Sequence, residues 1–303
     1  MSGFKRDFNG NAKKREDRPK PPPKQVAKNQ YTPMFEALRD ELDEHHDRRE
    51  RIIKASRDIT GLSKKIIFAL QRVRKIEPNL PEKIQSEINT RLDDISKLLI
   101  TIAPEIQGLN RYRYARSLMC LEELVEALTF AHYLKTQTLI TPQQLVPIMQ
   151  ELAVRQAAAE DQVMTDVNDS TPAAPTPKPA PLTVDLTEDD YLFGVFDLTG
   201  EMMRFATTST ALTGTMTMAT GSSSSSEKDE QPRTIVEDMH ELGSLLEMLP
   251  PSGSRIQWEK KLDVTRQSVR KVERLGYDRT IRGSERPKGW IPDLADQQQP
   301  DDE

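Results

Sequence analysis

Residues 119–136 constrain the fold of this chain more than any other stretch, because a helical wheel shows them to be apolar on two sides. One side is formed by Leu121, Leu124, Val125 and Leu128. The other contains Met119, Ala127, Phe130 and Leu134, and Glu123 and Glu126 lie among them. A helix that is apolar all round is usually buried. Buried carboxylates are costly unless they are paired, so these two must meet cations, hydrogen-bond donors, a metal ion or a cavity.

A second acidic pair occurs later in the chain, in a stretch with the same mixed character. Asp197 and Glu201 are four residues apart and therefore share one face of the predicted helix. Gly194 and Gly200 lie on the same side, although glycine inside a helix costs roughly 1 kcal/mol relative to alanine. The two glycines predict that another backbone or a ligand approaches this face closely.

Helical periodicity also dominates the rest of the chain, and neither strand alternation nor an internal repeat is visible. Prolines and low-complexity stretches separate seven periodic segments: 32–77, 81–102, 104–136, a short one from 142, 185–208, 235–249 and 257–277. Thr32 and Thr141 each precede a proline and are predicted to be N-caps. The sequence therefore predicts an all-α bundle of seven helices.

Composition divides the chain into one helical domain with polar extensions. Residues 1–30 are predicted to be a disordered basic arm, residues 31–290 a single helical domain, and residues 291–303 a disordered acidic tail. Within the domain, a Pro/Ala-rich linker at 156–183 and a Ser/Thr-rich loop at 207–232 are predicted insertions. These polar stretches explain the low mean hydropathy of −0.66.

Charge and cysteine content limit the cellular setting. Residues 1–28 contain nine Lys or Arg against three acids, whereas the whole chain has a net charge of −5. A basic arm on an acidic body suits nuclear import or contact with nucleic acid, and a solvated disordered tail is the alternative. Cys120 is the one cysteine, which excludes an internal disulfide and a cysteine-based zinc site and fits a reducing compartment. No run of about 18 apolar residues occurs, so we expect no membrane partner.

Motifs of the common nucleotide-binding and hydrolytic folds are missing from the sequence. What remains is the acidic set formed by Glu123, Glu126, Asp197 and Glu201. Carboxylates are hard oxygen ligands that suit Mg²⁺ or Mn²⁺, and such an ion can activate water against a phosphodiester. The alternative is that these acids pair with neighbouring cations, for example Glu201 with Arg204.

Basic residues recur along the first predicted helix and form a candidate path for nucleic acid. The candidates are Arg49, Arg57, Lys64, Lys65 and Arg72. Lysine and arginine side chains that follow a helix can neutralise successive phosphates. Acids at positions 47, 50 and 58 interrupt the series, so an ordinary charged helix face is the alternative.

Five segments of the sequence resemble the translin-associated factor X group of the translin family. They are residues 46–60, 63–72, 123–130, 191–204 and 282–287. The block Asp-Leu-Thr-Gly-Glu at 197–201 is the most specific of these matches, and all five occur in the order that the family has. The linker and the Ser-rich loop are longer here than the family needs.

The resemblance implies a translin-type seven-helix bundle that assembles with a translin homologue into a hetero-oligomer. It also implies a Mg²⁺- or Mn²⁺-dependent endoribonuclease acting on single-stranded RNA, such as passenger-strand or tRNA-precursor fragments, in the cytoplasm and nucleus. Carried over, Glu123, Glu126, Asp197 and Glu201 would be the catalytic metal ligands. The alternative is a non-catalytic scaffold that binds translin and single-stranded DNA or RNA.

Overall fold

The described residues of the computed structural model, 29–154, 182–213 and 233–282, are mainly helical and include no β-strand. The α-helices are α1 Thr32–Leu70, α2 Glu82–Ile102, α3 Leu109–Arg113, α4 Cys120–Thr136, α5 Pro142–Val154, α6 Glu188–Thr213, α7 Ile235–Met248 and α8 Arg255–Arg282. The all-α class is confirmed. Almost all of the predicted basic arm and of the linker, most of the Ser-rich loop and the whole acidic tail lie outside the described residues.

The segment predicted as one helix from 104 to 136 is divided, which corrects the sequence-based boundary. After α2 the chain forms a 3₁₀ turn at Ala103–Ile106, then α3, then a second 3₁₀ turn at Ala115–Ser117. Pro104 has no N–H to donate in a continuing helix, and Gly108 has a φ of 58°, which a helix does not allow. The acidic helix therefore begins only at Cys120.

The structure confirms one of the two predicted N-caps and replaces the other with a different residue. The Thr141 hydroxyl accepts from the Gln144 N–H at 3.3 Å, and the Gln144 side chain accepts from the Thr141 N–H at 2.8 Å. Thr141 is thus the predicted cap of α5. Thr32 instead lies inside α1, and the Asn29 side chain accepts from the Thr32 N–H at 3.1 Å. Asn29 is therefore the residue that caps α1.

Two helix ends also differ from the prediction. α1 stops at Leu70, seven residues before the predicted end at 77. α6 continues to Thr213, so residues 207–213 are helical rather than the start of the predicted loop. Thr207 and Thr208 fit inside the helix because their hydroxyls donate to carbonyls one turn earlier, at 2.9 and 2.8 Å.

The residue contacts divide the chain into two compact units, Met1–His46 and Asp47–Glu303. In the first unit, α1 exposes Phe35, Leu38 and Leu42, and Tyr31, which directly precedes the helix, is exposed as well. Their spacings of four, three and four residues put them on one helix face. The predicted helical periodicity is present, but this apolar face is exposed within its own unit.

In the second unit, α4 is a buried helix that packs against α6. Leu121, Leu124, Val125, Ala127 and Phe130 are all fully buried, which confirms that the helix is covered on both predicted sides. Two residues depart from the prediction: Leu128 is only partly buried, and Met119, which precedes the helix, is exposed. α4 packs against α6, α6 packs in turn against α7 and α8, and α2 packs against α5.

Gly194 brings α6 into direct contact with the backbone of α4. A Cβ atom at this position would lie 2.6 Å from Val125 Cγ1 and 2.8 Å from the carbonyl oxygen of Glu122. The predicted close approach is therefore present at Gly194. No backbone approaches Gly200, where a Cβ atom would meet no atom of the described residues within 4 Å, so close approach of a ligand there stays a prediction.

We expect the same substitution to have opposite effects at these two glycines. Gly194→Ala should lower the free energy of unfolding by about 1–3 kcal/mol, because the methyl group overpacks the contact between α4 and α6. Gly200→Ala should raise it by about 1 kcal/mol, because alanine is the better helix former and the space is open. Urea denaturation of the two variants measures both changes, and equal effects would contradict the close approach.

Candidate functional site

The four acids named from the sequence lie at the packed interface of α4 and α6. Glu123 and Glu126 are on α4, and Asp197 and Glu201 are on α6. Glu126 and Glu201 are each only 8% exposed. Burial and the charges of Asp197, Glu123 and Glu201 together raise the pKa of Glu126 to about 8. The carboxylates of the two helices therefore form one acidic cluster.

The cluster is lined by polar groups from α1 and from the residue that follows it. Lys64 Nζ lies 3.7 Å from Glu123 Oε2. The Gln71 side chain donates to Glu201 Oε2 at 2.8 Å, and Arg204 Nε lies 3.5 Å from Glu201 Oε1. The pairing of Glu201 with Arg204 that the sequence offered as an alternative is present, but with a largely exposed arginine at the rim.

Two further residues of the cluster were missed by the sequence analysis. Lys261 of α8 donates from Nζ to Asp197 Oδ2 at 2.6 Å and lies 3.7 Å from Glu122 Oε2. Burial raises the pKa of Glu122 to about 7, against the opposing effect of Lys261. Glu122 could have been suspected from its position beside Glu123. Lys261 carries no local signal, because only the packing of α8 on α6 brings it here.

Glu126 differs from the other members of the cluster. Within the described part of the chain, its carboxylate makes no hydrogen bond and no ion pair, although Glu126 is buried among three other acids. An uncompensated buried carboxylate is costly in a folded protein. It is therefore the position at which the cluster most needs a cation or a proton.

The donors of the cluster fit a divalent cation in their chemistry. Four carboxylates from two helices supply hard, negatively charged oxygen atoms, which Mg²⁺ and Mn²⁺ prefer. In the present side-chain conformations, no three His, Cys, Asp or Glu residues of the described ranges are placed to hold one ion. Two of the carboxylates are hydrogen-bonded to protein donors instead, Asp197 to Lys261 and Glu201 to Gln71.

We expect the pKa of Glu126 to make the cation-free protein less stable as the pH rises. The folded state holds a proton on Glu126 up to a pKa of about 8, whereas the unfolded chain releases it near the ordinary value of 4.5. Between these values the folded state binds more protons than the unfolded state, so the free energy of unfolding falls with rising pH. Glu126→Gln should remove this part of the decline and raise Tm at pH 8 in the presence of a chelator.

The matched control is Glu247→Gln on α7, whose side chain is about half exposed and pairs with Arg266. This substitution should leave the pH dependence of Tm unchanged. Thermal unfolding at a series of pH values measures both variants. An identical decline in Glu126→Gln and the parent protein would mean that Glu126 does not titrate with a raised pKa.

The predicted basic path is only partly available to a ligand. Lys64 pairs with Glu123, and Arg72 pairs with Glu87. Arg49, Arg57 and Lys65 are exposed. An open groove of about 480 Å³ is lined by Arg57, Asp58, Gly61, Leu62, Lys65, Asp94, Lys97 and Leu98. Three cations and two acids thus border one groove along α1 and α2.

Comparison with known proteins supports the resemblance to the translin family. Residues 47–283 match the Translin family. Translin-associated protein X of Mus musculus is 32% identical over 263 residues, which cover 86% of this chain and 82% of that protein. The Translin-associated protein X homolog of Schizosaccharomyces pombe is 27% identical over 253 residues, with coverage of 83% and 89%.

Solved structures give a weaker likeness. The crystal structure of apo-NeC3PO superimposes with a TM-score of 0.47 at 17% sequence identity, and the match covers 82% of this chain and 97% of that one. The crystal structure of AfC3PO gives a TM-score of 0.43 at 18% identity. Family membership depends instead on the sequence match, which spans most of the chain and all four acids of the cluster. This chain belongs to the translin family.

Proposed function

We propose that this chain is the catalytic subunit of a metal-dependent endoribonuclease that acts on single-stranded RNA in a hetero-oligomer with a translin homologue. One observation carries the proposal: Glu126 is buried without a hydrogen-bond or ion-pair partner in the described part of the chain, among three other carboxylates. Such a site gains stability from a divalent cation. The similarity to Translin-associated protein X supports the choice of partner.

In this proposal Glu123, Glu126, Asp197 and Glu201 hold Mg²⁺ or Mn²⁺. The ion would neutralise charge on the phosphodiester and lower the pKa of an attacking water molecule. An unligated carboxylate oxygen of the same set would accept the proton of that water. Lys64 and Arg204, both exposed at the rim of the cluster, are placed to attract the negatively charged RNA backbone.

The proposed substrate is single-stranded RNA. The resemblance supplies passenger-strand and tRNA-precursor fragments as candidates. Single-stranded DNA is proposed as a further ligand. Arg49, Arg57 and Lys65 would contact phosphates, since all three side chains are exposed. Contacts of this kind release counterions, so binding should weaken steeply with salt. The groove beside Arg57 and Lys65 offers a path of suitable size for a backbone.

Assembly and location complete the proposal. The exposed apolar face of Tyr31, Phe35, Leu38 and Leu42 supports an assembled state, because contiguous apolar surface commonly marks contact with another protein. No helix in the described ranges is long and apolar enough to cross a bilayer. The basic composition of residues 1–28 supports a distribution between cytoplasm and nucleus.

A non-catalytic scaffold is the second candidate, and the pairing of the acids favours it. Glu123, Asp197 and Glu201 already have partners in Lys64, Lys261 and Gln71. A scaffold would bind translin and single-stranded nucleic acid without a cation at these acids. Mn²⁺ titration separates the two candidates, because only the enzyme requires binding that depends on Asp197.

The direct test is co-purification with a translin homologue, followed by cleavage assays on single- and double-stranded RNA. We expect single-stranded RNA to be cut in Mg²⁺ or Mn²⁺, and excess EDTA to stop the reaction. Restored cleavage after the cation is added back shows that the chelator removed a cofactor rather than unfolding the complex. Cleavage that persists in EDTA would contradict the proposal.

A further inference from the structure

Lys261 reaches from α8 into the acidic cluster. Its side chain is only 18% exposed, and that of its second partner, Glu122, is 16% exposed. Nζ lies 2.6 Å from Asp197 Oδ2 and 3.7 Å from Glu122 Oε2. The ammonium therefore bridges a carboxylate of α6 and a carboxylate of α4 at the centre of the candidate site.

This arrangement differs from a surface ion pair at the lysine and at Glu122, although the side chain of Asp197 is 41% exposed. Exposed pairs contribute little because water screens them and the side chains stay mobile. Here the ammonium is largely withdrawn from water, and its charge also opposes the rise in the pKa of Glu122, Glu123 and Glu126. Lys261 thus acts on the three glutamates of α4 and not on Asp197 alone.

Phe193 lies close enough to Lys261 to give its ammonium group a second set of favourable contacts. Nζ lies 3.4 Å from the carbonyl oxygen of Phe193 and 5.3 Å from the centre of the Phe193 ring. A carbonyl and an aromatic face both attract an ammonium group. Lys261 can therefore retain favourable contacts on α6 when it loses its hydrogen bond to Asp197.

We propose that Lys261 is an internal counter-ion that competes with the divalent cation for Asp197 and so sets the cation affinity of the cluster. The inference rests on the proposed function and goes beyond it, because it assigns a role to a residue outside the acidic set. A cation at Asp197 must either displace the ammonium or share a carboxylate with it. Both outcomes weaken cation binding by like-charge repulsion.

The test measures Mn²⁺ binding to the full-length chain, with electron paramagnetic resonance of free Mn²⁺ as the readout. Lys261→Met keeps the bulk of the side chain and removes its charge, so we expect the dissociation constant to fall about tenfold. Lys261→Arg keeps the charge and should bind nearly as the parent protein does. Lys260→Met removes a charge from the adjacent exposed position and is the matched control.

An unchanged or weaker affinity in Lys261→Met would overturn the inference, because it would make the lysine a tether between helices or a positioning group. Lys261→Gln provides a second variant if the methionine side chain prevents folding, and it should also bind Mn²⁺ more tightly. Circular dichroism confirms that each variant is folded. The same tenfold gain in Lys260→Met would show a general charge effect and would also overturn the inference.

Asp197→Asn distinguishes failure of this inference from failure of the proposed function. If the parent protein binds Mn²⁺ through Asp197 and Lys261→Met does not change the affinity, only the role of Lys261 is wrong. If the parent protein shows no binding that depends on Asp197, the proposed metal site is wrong and the counter-ion role is lost with it.

Discussion

RNA cleavage by the co-purified complex should fall by about 10²–10³-fold when Asp197 or Glu126 is replaced by alanine. Each substitution removes an oxygen donor from the cluster at the interface of α4 and α6. Both should also weaken Mn²⁺ binding, because the site loses charge as well as a ligand. Single-turnover assays with labelled single-stranded RNA measure the loss, and binding of uncleaved RNA at the same salt concentration shows whether substrate affinity is retained.

The control for this prediction is Asp263→Asn on α8, which changes a largely exposed carboxylate that pairs with Arg266. Its cleavage rate should stay within about twofold of the parent complex, since exposed pairs of this kind contribute little. Full activity in both alanine variants would exclude the acidic cluster as the catalytic site. Loss of activity without loss of Mn²⁺ binding would exclude these acids as cation ligands and leave them the role of proton acceptor.

Trp258→Ala is expected to have the largest effect on stability and to lower the free energy of unfolding by about 3–5 kcal/mol. Trp258 is 2% exposed and holds α8 against α6. Its ring meets those of Phe196 and Phe193 edge-on, with centroids 5.0 and 6.1 Å away. The alanine variant loses these contacts and leaves a cavity that the two helices cannot readily fill. Urea denaturation followed by far-UV circular dichroism measures the change.

Ile256→Ala is the matched control, because Ile256 is apolar, lies in the same helix and is 68% exposed. It should change the free energy of unfolding by no more than about 0.5 kcal/mol. Equal losses in the two variants would mean that the aromatic contacts do not anchor α8. Because Lys261 lies one helical turn after Trp258, the tryptophan variant should also loosen the hydrogen bond of Lys261 to Asp197.

The acidic helices were predictable because their signals are local. Spacings of three and four residues put each acidic pair on one face, and the surrounding apolar residues predicted that both faces would be covered. The glycine pattern was less informative. Gly194 and Gly200 look alike in the sequence, yet only Gly194 contacts another helix, because contact depends on where α4 crosses α6.

Helix breaks inside the segment 104–136 show the limit of periodicity. Pro104 and Gly108 were visible in the sequence, but the apolar spacing continued past them. The structure divides the segment because a missing N–H and a positive φ interrupt helical hydrogen bonding whatever the side-chain pattern is. The exposed face at Phe35, Leu38 and Leu42 shows a second limit. Periodicity predicted this helix correctly but does not indicate whether another element covers its apolar face.

The amino-acid sequence by itself determined the all-α class, the central buried helix and the two acidic pairs, because helix formation depends on spacings within one or two turns. Only the tertiary structure decided that Lys261 and Glu122 complete the cluster, that Gln71 contacts Glu201, and that Glu126 is buried without a hydrogen bond or ion pair among the described residues. These contacts join helices that are far apart in the chain. They are set by how the helices pack and, apart from the position of Glu122 beside Glu123, carry no signal in the local sequence.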